Sequence, residues 1–213
     1  MNKFRPLQST DSDFLPEEPL GESVLHSEES LRVWQPKSRI VVLGRSQVAE
    51  KEVNLQNSRR DGIPIFKRHG GGGCVILDKH SLCVAIRYAR GRELNIDKYL
   101  TNSCQMISDF IEEEYEVESS IGSNYDLITG DRKFLGSSLY MPKGFAIYSC
   151  VILFEKEAMK GINEYLTMPS KEPKHRQGRS HDDFLVPLQT VTDEEIETFR
   201  QKLYNYLEQR LEE

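Results

Sequence analysis

Few residues of this chain could do chemistry, and the least ordinary are four successive glycines, Gly70, Gly71, Gly72 and Gly73, set directly after Arg68 and His69. Glycines cost backbone entropy and bring no side chain to bury, so a run of them calls for compensation. They let the chain take up positive φ, let a ligand come close to the backbone, and leave amides able to donate to phosphate or carboxylate oxygens. Arg68 adds a fixed charge with a forked donor geometry. A bare glycine run is equally well read as a flexible loop or a bend in a sheet. Two nucleotide motifs are excluded: no Lys-Ser or Lys-Thr follows, as a phosphate loop needs, and Cys74-Val75-Ile76-Leu77 reads as a strand where the dinucleotide fingerprint needs a helix to begin.

Lys133 lies between Gly130-Asp131 and Gly136-Ser137. A lysine beside Arg132 and an apolar stretch would by itself be a solvated turn residue. Alternation along residues 145–153 suggests that the Cys150 thiol is held inside a strand, where burial makes it inert. The four cysteines, Cys74, Cys83, Cys104 and Cys150, show no CxxC or ligand-like spacing, so buried reduced thiols and no metal site are expected. Residues 171–181, which include Arg176 and Arg179, are polar, basic and rich in turn formers, and predict a mobile loop.

The elements that must position these residues can be read from periodicity. Residues 39–44 form an uninterrupted β-branched run ending at Gly44, which suits a buried strand. Residues 49–61 predict a helix stopped by Gly62, followed by an extended stretch from Ile63 to Phe66. Residues 74–77 and 82–88 read as two strands joined by a polar connection of hairpin length, residues 78–81. Ile96, Leu100, Cys104, Ile107 and Ile111 line one face of an amphipathic helix. Residues 125–129, 133–140 and 145–155 predict an antiparallel meander with turns at Gly130-Asp131 and Pro142-Lys143-Gly144, followed by a short helix over 157–166. At the end, Thr192 and Glu195 form a capping box before a helix with Ile196, Phe199, Leu203, Leu207 and Leu211 on one face. Residues 23–34 are compatible with a short helix running into a strand. The strand-rich middle with flanking helices predicts an α+β or mixed α/β fold in one domain, residues 23–213, after a partly ordered arm, residues 1–22.

Composition narrows the partners. A net charge of −6 argues against nonspecific nucleic-acid binding, which needs a surplus of basic residues. No apolar run approaches the length needed to cross a bilayer and the N-terminus lacks a leader pattern, so a cytoplasmic protein without membrane contact is expected.

Several blocks, taken together and in order, resemble the lipoate-protein ligase A family. Residues 68–78, RHGGGGCVILD, are similar to its Arg-x-x-Gly-Gly-Gly-x-Val-x-x-Asp segment. Upstream, Gly44-Arg45-Ser46-Gln47 and Lys51-Glu52-Val53-Asn54 are similar to its Gly-Arg-x-Gln and Lys-Glu-x-Asn block. Downstream, Asn124-Tyr125-Asp126-Leu127 and the run from Gly130 through Lys133 to Gly136-Ser137 resemble its Asn-Asp-Leu and Gly-Asp-Arg-Lys-x-x-Gly-Ser blocks. The likeness covers residues 31–188. Departures are local: Ile147-Tyr148-Ser149-Cys150 stands where the family usually has His-His-Gly-Thr, and Leu77 where a histidine is common.

The resemblance implies the fold of the biotin/lipoate protein ligase catalytic domain, a mixed, mainly antiparallel sheet with flanking helices. It implies an enzyme that activates lipoate or octanoate with ATP, together with magnesium, and passes the acyl group from an acyl adenylate to a lysine of a lipoyl-carrier domain, with no permanently bound cofactor. The carrier would belong to a 2-oxoacid dehydrogenase subunit or be a glycine cleavage H-type protein. Lys133 becomes the catalytic residue, its ammonium stabilising charge on the acyl carbonyl oxygen. Arg68 would hold phosphate or carbonyl oxygens; Gly71, Gly72 and Gly73 would line the acyl tunnel. Asn124 would bind phosphate or orient a carboxylate, while Gly136 and Ser137 would complete the site and Arg45 would brace the loop. Asp78 would hydrogen-bond the loop backbone or serve as a plain turn residue. The loop with Arg176 and Arg179 would cover the adenylate or dock the carrier. The chain stops after one more helix, so a truncated form lacking the accessory C-terminal domain is expected, with a separate accessory subunit as one way to supply it. Two other readings stay open: transfer from a preformed acyl donor without ATP, and a non-catalytic protein that binds acyl adenylate. Octanoyltransferases of this superfamily work through a cysteine thioester, which makes Cys150 the possible nucleophile here, although their cysteine lies in a later loop and residues 169–181 have none.

Overall fold

A computed structural model of the chain describes residues 30–89, 95–188 and 193–212. The N-terminal arm, the helix expected just before residue 30 and the Thr192 end of the capping box lie outside the described residues. Within them the order is β1 (Leu31–Trp34), β2 (Ile40–Leu43), α1 (Ala49–Glu52), α2 (Leu55–Arg60), β3 (Ile65–Lys67), β4 (Val75–Leu77), β5 (Ser81–Ala89), α3 (Ile96–Tyr115), β6 (Ser120–Ile121), β7 (Leu127–Thr129), β8 (Arg132–Tyr140), β9 (Phe145–Leu153), α4 (Lys156–Tyr165), α5 (His181–Phe184) and α6 (Asp193–Glu212). The fold is α+β, with a six-stranded sheet in the order β1-β5-β9-β8-β7-β6 and a three-stranded sheet in the order β3-β2-β4. Every strand pairing of the large sheet is antiparallel; among the described strands only β2 with β3 pairs in parallel, and an isolated parallel bridge joins Lys133 to Leu185.

Period-two alternation sorts the layers. On β5, Leu82, Val84 and Ile86 face α3 and α6, while Cys83 and Ala85 face the small sheet through Val42 and Leu77. The outer face of the small sheet, with Val41, Leu43, Ile65 and Ile76, is covered by α4 through Ala158, Ile162 and Tyr165. Helix α6 buries Ile196, Phe199, Leu203 and Leu207 almost completely, each worth about 1.5–3 kcal/mol by area removed from water. Asn95 caps α3 by accepting from the Lys98 amide at 2.9 Å.

Two expectations need correction. The helix expected over 49–61 is broken: Val53 forms an isolated bridge with Leu166, and Asn54 then caps α2 by accepting from the Asn57 amide. Cross-chain pairing with the segment after α4 overrides helix propensity there. The second is the polar connection of residues 78–81, which does not close a hairpin. Strand β4 pairs with β2 in the small sheet and β5 with β1 and β9 in the large one, so the connection steps from one sheet to the other. A short polar link between two strands looks the same in sequence either way.

Candidate active site

Strand β8 carries the decisive irregularity. Leu127 of β7 pairs with Leu135, but the next residue, Ile128, pairs with Lys133, which leaves Phe134 as an extra residue. Such a bulge shifts side-chain parity by one. Phe134 and Leu135 therefore both enter the core, and Lys133 and Gly136, three residues apart, come to share a side. A Cβ on Gly136 would lie 2.8 Å from Lys133 Nζ and 2.9 Å from its Cε, so the absence of a side chain at 136 leaves the place where the lysine lies. Lys133 Nζ reaches Asp126 Oδ1 at 2.8 Å, and that carboxylate is 3% exposed.

Asp126 is presented by a tight turn in which Asn124 and Tyr125 adopt φ of 63° and 58°, a left-handed conformation costly for any residue with a Cβ and least so for Asn. The Tyr125 carbonyl that this exposes accepts from Ser137 Oγ at 2.7 Å and from Cys104 Sγ at 3.3 Å, which ties the turn to β8 and α3. Asp126 Oδ2 faces His175 Nε2 at 3.5 Å, and His175 Nδ1 lies 2.6 Å from Ser123 Oγ.

The glycine loop folds back over the end of β2. Gly44 N donates to Gly73 O at 3.0 Å and Arg45 N to Gly70 O at 2.9 Å. A Cβ at Gly44 would fall 2.0 Å from Gly72 O, so the approach of the two backbones requires glycine at 44. Arg68 is 7% exposed and points inward. Its Nε and terminal nitrogens donate to the carbonyls of Gly71, Gly73 and Val42 at 2.7 to 3.4 Å. Burial lowers its pKa to about 10. The far side of the loop meets β8, where a Cβ on Gly70 would touch Ser138 Oγ at 3.0 Å.

Loop, bulge and turn enclose one cavity of about 490 Å³, lined by Gly71, Gly72, Gly73, Asn124, Asp126, Lys133, Gly136, Ser137 and Arg176 among others. One wall is apolar, from Ile76, Leu153, Ile162, Leu166, Phe184 and Leu185. The cavity therefore offers an apolar channel, a glycine backbone and an ammonium in one space, which is what an activated acyl group attached to a polar leaving group needs.

A model of the lipoyl protein ligase A/B catalytic domain matches residues 15–208. The chain belongs to this family. Lipoate-protein ligase A of Blochmanniella floridana is 28% identical over 179 residues, 82% of this chain and 51% of that protein. Lipoate-protein ligase A subunit 1 of Thermoplasma acidophilum is 21% identical over 195 residues, 88% of this chain and 74% of that protein. This chain thus spans about half the length of the Blochmanniella relative, and 32% of that of lipoate–protein ligase 1 from Plasmodium falciparum. Among solved structures, an archaeal bi-partite lipoate protein ligase with its E2 lipoyl domain, from Thermoplasma acidophilum, superposes with a TM-score of 0.70 at 20% identity, covering 85% of this chain and 71% of that one. A lipoate-protein ligase A bound with ATP gives 0.67 at 21% identity, covering 85% and 72%. These structural likenesses establish the fold.

The structure revises the reading of Arg68 and decides between the alternatives left open for Asp78 and Cys150. Arg68 does not face the cavity; it braces the glycine loop from beneath, the part expected of Arg45, whose side chain is exposed. Asp78 does not line the cavity either. It closes the turn into β5, accepting from the His80 amide at 3.0 Å and pairing with Arg39 at 2.9 Å. Cys150 is 1% exposed within β9, outside the cavity lining, and burial raises its pKa well above the ordinary thiol value, as the strand reading expects. Residues 171–181 are largely exposed, with Arg176 buried and several side chains anchored. The Nε atoms of Arg176 and Arg179 donate to each other's carbonyls at 2.9 and 3.0 Å, and Arg179 also holds Asp131 at 2.8 Å. Both guanidinium groups lie over Phe184, at 4.9 and 5.3 Å from the ring centroid. Arg176 lines the cavity, while Arg179 fastens the loop to the turn before β8.

Sequence reasoning passed over Asp126, His175 and Glu52. Asp126 stood inside a matched block, where Asn124 drew the attention instead. His175 sat unmarked in a basic run. Glu52, 2% exposed, lines the cavity and fixes the segment after α4 by accepting from the Ser170 hydroxyl. Its only signal was membership of the Lys-Glu-x-Asn block.

Proposed function

We propose that this chain catalyses transfer of a lipoyl or octanoyl group, through an acyl adenylate, to a lysine of a lipoyl-carrier domain. The observation that carries the reading is that Lys133, held at 2.8 Å by the buried Asp126, and the glycine loop line the same cavity. The acyl chain would lie along the apolar wall, its carbonyl and the phosphate near Lys133 and the loop. In the first half of the reaction the acid's carboxylate displaces pyrophosphate from ATP. In the second, the carrier lysine's amine attacks the carbonyl carbon, the new C–N bond forms, the bond to AMP breaks, and the amine gives up a proton. Negative charge grows on the carbonyl oxygen and on departing AMP, and an ammonium brought to that point is worth about 3–4 kcal/mol by analogy with other single donors to such charge.

Among the described residues no group of three or more His, Cys, Asp or Glu side chains could hold a metal ion. Magnesium would be bound through nucleotide phosphates together with one or two carboxylates, as is common for this ion. The archaeal relative's bi-partite arrangement supports an accessory subunit as a partner, and its E2 lipoyl domain supports a carrier of that kind. No described helix is long and apolar enough to cross a membrane; a cytoplasmic location remains part of this proposal.

The test is intact-mass spectrometry of a carrier domain after incubation with the protein, ATP, magnesium and lipoate. A lipoyl mass gain that disappears with Lys133→Ala is expected. Gain only from synthetic lipoyl adenylate would restrict this chain to the second half-reaction, and adenylate binding without any gain would leave a non-catalytic binder.

A further inference from the structure

Asp126, with 3% of its surface exposed, has one lysine on one oxygen and one histidine on the other. If Lys133 turns to the carbonyl and phosphate oxygens of a bound adenylate, Asp126 loses its cation, and an uncompensated buried carboxylate is strongly unfavourable. The only other group on that carboxylate among the described ion pairs is His175. Its ring is packed against Phe184 at 5.1 Å and against Gly122, where a Cβ would come within 3.4 Å.

The hydrogen-bond chemistry dictates how the ring stands. A carboxylate can only accept, so the neutral imidazole is best served by Nε2–H toward Asp126 Oδ2, with the Ser123 hydroxyl donating to Nδ1 at 2.6 Å. Protonation at Nδ1 then needs no heavy atom to move: the Ser123 hydroxyl rotates and accepts instead. At 3.5 Å the Nε2–Oδ2 contact also has room to shorten once the carboxylate is released by the lysine.

We propose that His175 is a positioning residue that gains a proton and takes over Asp126 when Lys133 leaves that carboxylate for the bound acyl adenylate. The proposal rests on the role given above to Lys133. The proton comes from solvent on binding and returns when AMP departs and Lys133 falls back.

The charges facing His175 are Asp126, Lys133 and Arg179. In the ligand-free protein its pKa is lowered, first by burial, with Lys133 and Arg179 adding to this and Asp126 opposing it. Withdrawal of Lys133 removes one lowering cause and leaves Asp126 unbalanced, so the pKa rises in the complex. Binding is therefore linked to proton uptake, and affinity weakens as pH rises through the interval between the two values.

The experiment is calorimetry of a non-hydrolysable lipoyl-sulfamoyl adenosine, in buffers of differing ionisation enthalpy, at several values between about pH 6 and 8. Uptake of a substantial fraction of one proton by the unaltered protein is expected. It should be absent in His175→Gln, which keeps an N–H for Asp126 but cannot be protonated, and that variant should lower kcat more than it changes KM. In the free Lys133→Met protein, the His175 titration followed by NMR should move upward, since Asp126 is already unpaired. Binding without proton uptake, uptake unchanged in His175→Gln, or an unmoved titration in Lys133→Met would each overturn the proposal while leaving the acyl-transfer reading standing. Failure of the analogue to bind at all would overturn both.

Discussion

Gly136→Ala separates the position of Lys133 from its presence. The new Cβ would lie 2.8 Å from Nζ and 2.9 Å from Cε. A carbon needs about 3.5 Å or more from such atoms, so the ammonium must move by about 0.7 Å. What it meets is the free end of a flexible side chain, not backbone, so the fold can absorb the change. Alanine also restricts the unfolded chain more than glycine, which offsets any weakening of the Lys133–Asp126 pair. Stability should change by no more than about 1 kcal/mol, or about 2–4 °C in melting temperature for a chain of this size. Activity should suffer far more, because a displacement near 1 Å at a reacting centre can cost about 100-fold. We expect kcat for transfer from synthetic lipoyl adenylate to fall about 10- to 100-fold, with the variant still folded by circular dichroism. Transfer within twofold of the unaltered protein would refute the claim that this lysine position matters. A loss of more than about 3 kcal/mol in stability would show that residue 136 packs against something stiffer than a lysine tip.

Other outcomes follow from the same geometry. Gly44→Ala puts a Cβ 2.0 Å from the backbone oxygen of Gly72, where nothing flexible can yield; urea denaturation should show a loss of about 2 kcal/mol or more, together with weakened binding of the adenylate analogue. Cys150→Ala should keep acyl transfer within about twofold, since the thiol is buried in β9, and cost only about 1 kcal/mol of stability; loss of transfer in a folded variant would restore a covalent role for the thiol.

Much of the fold was legible from the chain alone. Unbroken β-branched runs marked β2 and β4, helical spacing from Leu100 to Ile111 marked α3, and turn residues marked the β7-β8-β9 meander. Each signal is local, because periodicity reports which face of an element is buried. Membership of the glycine run and Lys133 in one site was also reachable, through blocks that matched a family in order. Sheet membership was not: a four-residue polar link reads alike whether it closes a hairpin or steps between sheets.

The sequence by itself determined which residues are chemically able to act, because side-chain type and local backbone freedom are properties of each residue: a lysine, a glycine loop, an arginine beside it. Only the tertiary structure decided which way they face. Arg68 turned inward because the backbone carbonyls of Val42, Gly71 and Gly73 offered its guanidinium acceptors. Lys133 came to lie over Gly136 because one extra residue in β8, set by pairing with β7, reversed the alternation that sequence spacing would assign. Register and burial belong to pairs of segments far apart in the chain, and no local pattern records them.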